Sequence, residues 1–161
     1  MTAKHHLSVK PSTALVGWLA LCFTAALGGA IFSTRDWYAT LVKPAWGPPA
    51  WVFGPVWTVL YALMAVAAWL VWKQGGWRAQ SKPLGLFLAQ WVLNAMWTPL
   101  FFGLHNAGLA FAEITVLWVT LAATLVAFWR VRKLAGVLLI PYLLWVSFAA
   151  ALNFSIWQLN L

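Results

Sequence analysis

The side chains best suited to chemistry in this sequence are amides and indoles, and they form two stripes with helical spacing. Gln90, Asn94 and Thr98 lie at i, i+4 and i+8, so they share one face of a helix. A second segment repeats the same spacing with Pro141, Trp145, Ala149 and Asn153. Amides can hydrogen-bond, and an indole offers a flat face on which a planar ring can stack.

The sequence lacks the residues that acid–base catalysis and metal binding need. The acidic residues are Asp36 and Glu113 alone, which excludes a cluster of carboxylates. His5, His6 and His105 have no ligand-like spacing within one helix, and the sequence has no glycine motif for phosphates or dinucleotides. We interpret His5 and His6 as part of a solvated tail, with weak metal binding as the alternative. The sequence therefore predicts no metal and no cofactor.

Composition places the two stripes in a membrane. Of the residues, 64% are hydrophobic and 7% are charged, and the mean hydropathy is +0.84. A soluble domain would need more polar surface, because large exposed apolar patches drive association. Five stretches are long enough, at about 1.5 Å per residue, to cross about 30 Å of hydrocarbon. They cover residues 14–32, 51–72, 84–102, 109–129 and 134–157.

The predicted fold class is therefore an all-α membrane protein, built as a bundle of five transmembrane helices. It forms one membrane domain over residues 14–157, after a tail of residues 1–13 and before a short tail of residues 158–161. The lipid bilayer is therefore one predicted partner of the protein.

Basic residues predict the orientation, because short loops rich in Lys and Arg are retained in the cytoplasm. With five spans, the amino terminus and the second and fourth connectors share one side. That side holds Lys4, Lys10, Lys73, Arg78, Lys82, Arg130, Arg132 and Lys133, against Arg35 and Lys43 on the other. We expect a cytoplasmic amino terminus, with the first connector and the carboxyl terminus outside. The net charge of +8 is explained by topology and lipid headgroups, so we expect no nucleic-acid partner.

This topology brings polar and aromatic residues to one depth, in the outer half beneath the Trp- and Pro-rich first connector. Trp57, Asn94, Glu113 and Asn153 all fall there. Polar side chains in hydrocarbon need partners, so these should face the bundle interior, and their convergence predicts a cavity. Two alternatives are open: the amides serve only to join neighbouring helices, and Glu113 serves only to complement a helix dipole.

Tryptophan is abundant, with 14 residues. Indoles near span ends are explained by the preference of tryptophan for membrane interfaces. Five lie deeper and need a packing or ligand explanation: Trp57, Trp91, Trp97, Trp118 and Trp145.

Three ordered motifs resemble the TspO/MBR family, the tryptophan-rich sensory proteins related to the mitochondrial translocator protein. The first motif comprises Trp37-Tyr38, Lys43-Pro44, Trp46, Trp51, Trp57-Thr58 and Leu60-Tyr61. The others comprise Asn94, Trp97-Thr98-Pro99 and Phe101-Phe102-Gly103, then Pro141-Tyr142, Trp145, Phe148-Ala149 and Leu152-Asn153. The resemblance covers nearly the whole chain after the first dozen residues.

The resemblance implies an often dimeric five-helix bundle whose outer cavity binds porphyrins, sterols and synthetic aromatic ligands of the benzodiazepine type. Matching positions imply that the cavity is lined by Trp57, Asn94, Trp97, Trp145 and Ala149, with Tyr38 and Trp46 added by the first connector. The animal sterol motif ends in Tyr and Arg. This chain has Phe154 and Gln158 in that segment, which argues against sterol recognition there.

We therefore expect a receptor or sensor for porphyrins, including protoporphyrin and haem-related tetrapyrroles, in the bacterial cell membrane. In one alternative the protein degrades bound porphyrin in light, with Trp57 and Trp145 as the candidate electron partners that the resemblance implies. Transport of a tetrapyrrole or sterol ranks lowest, because five spans divide poorly into repeated halves. Ala25 with Gly29 and Ala26 with Ala30 are spaced for close helix approach, either in a homodimer or within one bundle.

Overall fold

The computed structural model describes residues 9–32 and 35–161. Five helical segments in it are long and apolar enough to cross a membrane, which confirms the all-α five-span class. These segments are Pro11–Phe32, Ala50–Trp72, Ser81–Gly103, Ala107–Val131 and Lys133–Leu159. The third has the lowest mean hydropathy, 1.3 against 1.8 or 2.0 for the others. It is also the span that carries the stripe of Gln90, Asn94 and Thr98.

Each span is built from one or two regular elements. The first consists of α1, Pro11–Thr24, and α2, Ala26–Phe32. The first connector contains α3, Arg35–Thr40, and a 3-10 turn, Ala50–Val52, leads into α4, Phe53–Trp72. The short α5, Gly76–Ala79, precedes α6, Ser81–Thr98, which continues as a π-helical turn, Pro99–Gly103. The last two spans are α7, Ala107–Val131, and α8, Lys133–Leu159.

Two spans are interrupted for identifiable reasons. α1 ends at Thr24, whose hydroxyl donates to the Leu21 carbonyl, a local bond that competes with helical geometry. In the third span, Pro99 has no N–H to donate, and the helix widens into a π turn. The Leu104 N–H then donates to the Pro99 carbonyl across five residues, at 2.9 Å.

The spans close into a ring whose order in space differs from the order in the chain. α1 packs on α4, α4 on α8, α8 on α7 and α7 on α6, and α2 contacts α6. The fifth span therefore lies between the second and the fourth, and the first lies between the second and the third. A single extended residue, Arg132, joins α7 to α8, so these two helices form a tight antiparallel hairpin.

The two ends of the bundle differ in charge. We call the end that carries Lys10, Lys73, Lys82, Arg130 and Lys133 the basic end. The opposite end carries the first connector and is called the loop end. The halves of the bundle next to them are the basic half and the loop half.

The basic half is filled with apolar side chains. Phe87 of α6 packs edge-on against Trp18 of α1, with ring centroids 5.6 Å apart, and stacks on Phe128 of α7 at 5.7 Å. Leu84 and Leu139 are also completely buried there. The hydrogen-bonded amides Asn94 and Asn153 lie in the loop half, whereas the buried polar side chains of the basic half are Gln90, near mid-span, and Thr124, whose hydroxyl donates to the Thr120 carbonyl at 2.8 Å.

Gly136 sets the close approach of the α7–α8 hairpin. An added Cβ would lie 2.8 Å from the Cβ of Trp129 and 2.9 Å from its Cα, so the α7 backbone would have to move. We expect Gly136→Ala to lower the free energy of unfolding by about 1–3 kcal/mol. Gly85→Ala is the control, because an added Cβ there meets nothing within 4 Å. Thermal unfolding in one detergent compares the two, and equal loss in both variants would contradict the prediction.

Candidate functional site

Asn94 lies deep in the loop half, where it joins three spans. The Tyr61 hydroxyl of α4 donates to Asn94 Oδ1 at 3.3 Å, and Asn94 Nδ2 donates to the Tyr142 hydroxyl of α8 at 2.9 Å. The side chain of Asn94 is 7% exposed, and both tyrosines are buried. Asn94 thus performs the helix-joining role that the sequence left open for it, and its amide already has partners.

Trp57 covers this chain of amide and phenols. Its indole stacks on the Tyr61 ring with centroids 5.2 Å apart, and meets the Tyr142 ring edge-on at 6.0 Å. Trp57 precedes Tyr61 by one helical turn, so both lie on the same face of α4. We call Trp57, Tyr61, Asn94 and Tyr142 together the polar centre.

Trp97 belongs to a second hydrogen-bonded group, closer to the loop end. Its Nε1 donates to Asn153 Oδ1 at 3.0 Å, and Asn153 Nδ2 donates to the Ala107 carbonyl at 2.8 Å. The Trp97 ring stacks on Phe101 at 4.9 Å. Like Asn94, Asn153 joins neighbouring helices, here the third, fourth and fifth spans.

Trp145 packs between apolar rings, and its polar atom has no partner. The indole contacts Phe53 at 5.8 Å and Phe148 at 5.4 Å, and Ala149 packs against the same apolar core. Trp46 of the first connector reaches Phe148 at 5.7 Å, although 51% of its side chain stays exposed. The buried Trp145 Nε1 has no hydrogen-bond partner among the described residues.

Three further side chains have buried polar atoms without partners in the described part of the chain: Gln90, Glu113 and Trp91, whose indole N–H is unpaired like that of Trp145. Gln90 is completely buried with both amide atoms unpaired, and Glu113 is 9% exposed with both carboxyl oxygens unpaired. α7 begins at Ala107, after an Asn106 cap that accepts from the Leu109 N–H at 2.9 Å. Glu113 is thus in the second turn, and its interpretation as a dipole partner is wrong because that effect fades within the first turn.

The first connector lies over these groups and is shaped by Lys43. The Lys43 ammonium donates to the carbonyls of Tyr38, at 2.7 Å, and Leu41, at 2.9 Å, and lies 4.7 Å from the Tyr38 ring centroid. Tyr38 also contacts Phe101 and Phe102. Burial raises the pKa of the Tyr38 phenol, so at neutral pH the group is a neutral hydroxyl.

Asn160 fastens the connector to the end of the fifth span. The Val42 N–H donates to Asn160 Oδ1 at 3.0 Å, and Asn160 Nδ2 donates back to the Val42 carbonyl at 2.9 Å. This reciprocal pair joins residues 118 positions apart in the chain. Together with the contact between Trp46 and Phe148, it holds the connector over α8.

Two open cavities lie away from the predicted site residues. One, of about 290 Å³, is lined by Trp37, Leu41, His105, Asn106, Ala107, Gly108, Trp157, Asn160 and Leu161 at the loop end. The other, of about 370 Å³, which we call the α1 groove, is lined by Val9, Thr13, Ala14, Gly17, Trp18, Leu21 and Trp72 at the basic end. Around Trp57 and Asn94 the protein's own rings are in contact, so a ligand there must displace them.

The predicted site residues therefore fall into three neighbouring groups. Trp57 and Asn94 belong to the polar centre, Trp145, Ala149 and Trp46 gather around Phe148, and Trp97 and Tyr38 meet at Phe101. Within residues 9–32 and 35–161, no three His, Cys, Asp or Glu side chains are grouped to hold a metal. His5, His6 and the Arg35 side chain lie outside what the structure describes.

Sequence reasoning missed Tyr61, Tyr142 and Asn160 as members of the site. Helical spacing could have found the tyrosines, because Tyr61 follows Trp57 by four residues and Tyr142 precedes Trp145 by three. Nothing in the sequence marks Asn160, because its partner is a backbone group in a distant segment.

Comparison with known proteins decides the family. A model described as the TspO/MBR family matches residues 18–158. This chain belongs to the TspO/MBR family. It is therefore a multi-pass membrane protein of the sensor or translocator type.

Named relatives of this TspO/MBR protein come from both bacteria and animals. The human translocator protein is 45% identical over 126 residues, which are 77% of this chain and 75% of the human one. Protein CrtK of Rhodobacter capsulatus is 42% identical over 147 residues, 89% of this chain and 90% of its own. Tryptophan-rich protein TspO of Chlorobaculum tepidum is also 42% identical over 147 residues, 88% and 92% of the two chains.

The polar centre makes a prediction about stability. Tyr142→Phe removes the acceptor of the Asn94 amide, and we expect it to cost about 0.6–1.7 kcal/mol, as for other hydrogen bonds between membrane helices. Tyr61→Phe is the comparison and should cost less, because its bond to Asn94 is longer, 3.3 against 2.9 Å. Double-mutant cycles with Asn94→Ala measure both couplings. Zero coupling for Tyr142 would show that this bond does not stabilise the fold.

Proposed function

We propose that this protein is a membrane receptor that binds a porphyrin or similar planar ring in the loop half, beneath the first connector. The observation that supports it most directly is the buried N–H of Trp145, which has no partner among the described residues. A buried donor without an acceptor costs about 1–3 kcal/mol, so a ligand that accepts from it recovers this free energy. The rings of Phe53 and Phe148 beside it supply flat apolar contact.

Glu113 supplies the complementary chemistry. Its two carboxyl oxygens are buried and unpaired in the described structure, so they can accept from a ligand N–H. A free-base porphyrin carries both pyrrole N–H donors and imine nitrogen acceptors within one flat ring. An unpaired donor on α8 and an unpaired acceptor on α7 suit such a ligand better than a sterol, which offers one hydroxyl on an aliphatic frame.

Access to this site requires the connector to move. The rings of Trp57, Tyr61 and Tyr142 contact one another, and the connector packs at the loop end on Phe101 and Phe148. The connector itself has little regular structure beyond α3, and side chains such as Asn160 and Phe148 hold it in place. Its contacts with the bundle are side-chain contacts, made mainly through Trp37, Tyr38 and Trp46 and the pair of Val42 with Asn160, and no helix of the bundle has to unfold for them to break, so we assign it the role of a lid.

We infer that the lid lies outside the cell and that the basic end faces the cytoplasm. Basic residues at helix connections are retained on the cytoplasmic side. The connections carry Lys73, Arg78, Lys82, Arg130, Arg132 and Lys133 at the basic end, against Arg35 and Lys43 at the loop end.

We also infer self-association through Ala26 and Ala30. Both are exposed on α2, with the spacing that allows close helix approach. Ala25, in contrast, is 5% exposed and belongs to the core, so the bundle itself already uses that face.

The donor role of Trp145 predicts a change in affinity. Trp145→Phe keeps a ring but removes the N–H, and we expect it to raise the Kd for protoporphyrin about 3- to 10-fold. Trp129→Phe is the control, since Trp129 is 41% exposed at the basic end. Titration in the dark, followed by porphyrin absorbance, keeps the readout independent of the tryptophan number. Absence of saturable binding, or an equal Kd in both variants, would overturn the proposal.

If the connector acts as a lid, weakening its attachment should change the rates of ligand association and dissociation. Asn160→Ala removes both bonds to Val42, so we expect association and dissociation of protoporphyrin to accelerate together, each about 3- to 10-fold. Gln158→Ala, at an exposed position of the same helix end, should leave both rates unchanged. Stopped-flow mixing measures them. Rates that stay the same in Asn160→Ala would mean that the ligand reaches the site by another route.

A further inference from the structure

The α1 groove lies at the opposite end of the molecule from the proposed porphyrin site. Apart from Thr13, the residues that line it are aliphatic, aromatic or glycine. Gly17 opens its middle, because an added Cβ there would meet nothing within 4 Å. The first span is also the least enclosed of the five, with 11% of its most apolar window buried against 28–44% in the others. This groove therefore faces the surroundings of the bundle and not its core.

The groove runs along most of the depth of one lipid leaflet. From Thr13 to Leu21, the residues of α1 that line it, the helix rises about 12 Å, against about 15 Å for half of the hydrocarbon in a bilayer. It begins at the first residues of α1, where the membrane surface lies, and ends near the middle of the span. An extended acyl chain that enters from the surface would follow this path.

Positive charge surrounds the surface end of the groove. Lys10 is the first residue before α1, and Trp69 Nε1 donates to the Pro11 carbonyl at 2.8 Å. The Lys73 ammonium lies 4.3 Å from the centroid of the Trp69 ring, so this contact brings Lys73 to the same end of α1. The acidic residues of the chain, Asp36 and Glu113, both lie toward the loop end.

The start of α1 adds backbone donors to this charge. Lys10 makes no side-chain capping bond, and the first turn of α1 contains no acidic residue. In that turn Pro11 has no N–H and the Ala14 N–H donates to the Lys10 carbonyl at 3.0 Å, so among the described residues the N–H groups of Ser12 and Thr13 are left for an outside acceptor. Helix N-termini favour anions such as phosphate. An apolar groove, two ammonium groups and free helix donors thus meet at one place.

We propose that the α1 groove binds one anionic phospholipid. One acyl chain lies along Thr13, Gly17 and Leu21, and the headgroup phosphate lies between Lys10, Lys73 and the first turn of α1. This site is separate from the porphyrin site, and it fixes the first span to a particular class of lipid.

The headgroup contact is tested with charge variants of the full-length protein. Native mass spectrometry compares retention of dioleoyl phosphatidylglycerol with that of dioleoyl phosphatidylcholine, which has the same chains. We expect the wild type to retain phosphatidylglycerol more strongly, and Lys10→Gln or Lys73→Gln to weaken it about five-fold each. Lys133→Gln is the matched control, because it removes a charge at the same end but on α8. Equal retention of both lipids by the wild type, or equal loss in all three variants, would overturn the proposal.

The acyl-chain contact is tested by filling the groove. Gly17→Leu places a side chain in its open middle, and we expect retention of phosphatidylglycerol to fall to the level of phosphatidylcholine. Gly85→Leu is the control, because Gly85 is also in the basic half and has open space around it. If Gly17→Leu changes the oligomeric state in light scattering but leaves lipid retention intact, a second copy occupies the groove and the proposal fails. Porphyrin titration of each variant should match the wild type, which keeps this test separate from the other site.

Discussion

Hydrocarbon offers no hydrogen bonds, and this constraint explains the interior of the bundle. A polar side chain within a span must find its partner inside the protein. Asn94 does so through Tyr61 and Tyr142, and Asn153 does so through Trp97 and the Ala107 carbonyl. Each amide thereby connects three spans, so these few contacts determine how the helices of the loop half are oriented.

The same constraint explains why buried polar atoms without a partner are informative. In a bundle where Asn94 and Asn153 are paired, buried atoms of Gln90, Trp91, Glu113 and Trp145 have no partner among the described residues. Burial of polar groups without partners is costly, and such groups in membrane spans are typical of functional sites. Phe87 and Phe128 of the basic half, in contrast, stack through apolar rings alone.

The sequence predicted the fold class and the family, because span length, apolar composition and ordered motifs are local properties of the chain. It also predicted that Asn94 and Trp57 face the interior. It could not predict that Tyr61 and Tyr142 take up the Asn94 amide, because that depends on the rotation and depth of three packed helices. The hydrogen bonds between Asn160 and Val42 could not be predicted from the sequence for the same reason. The dipole interpretation of Glu113 failed because α7 begins two residues before the apolar stretch.

The contacts within the polar centre also bear on how a ligand could enter it. Trp57, Tyr61 and Tyr142 fill the space among themselves, and they keep the centre packed when no ligand is present. A planar ring can replace such contacts with stacking of the same kind, so most of the lost contact energy is recovered on binding. Under the proposed function, the ligand would add a partner for the unpaired N–H of Trp145 and the carboxyl of Glu113. Selectivity would then follow from the polar edge of the ring, because its flat faces would only replace ring contacts that the protein already makes.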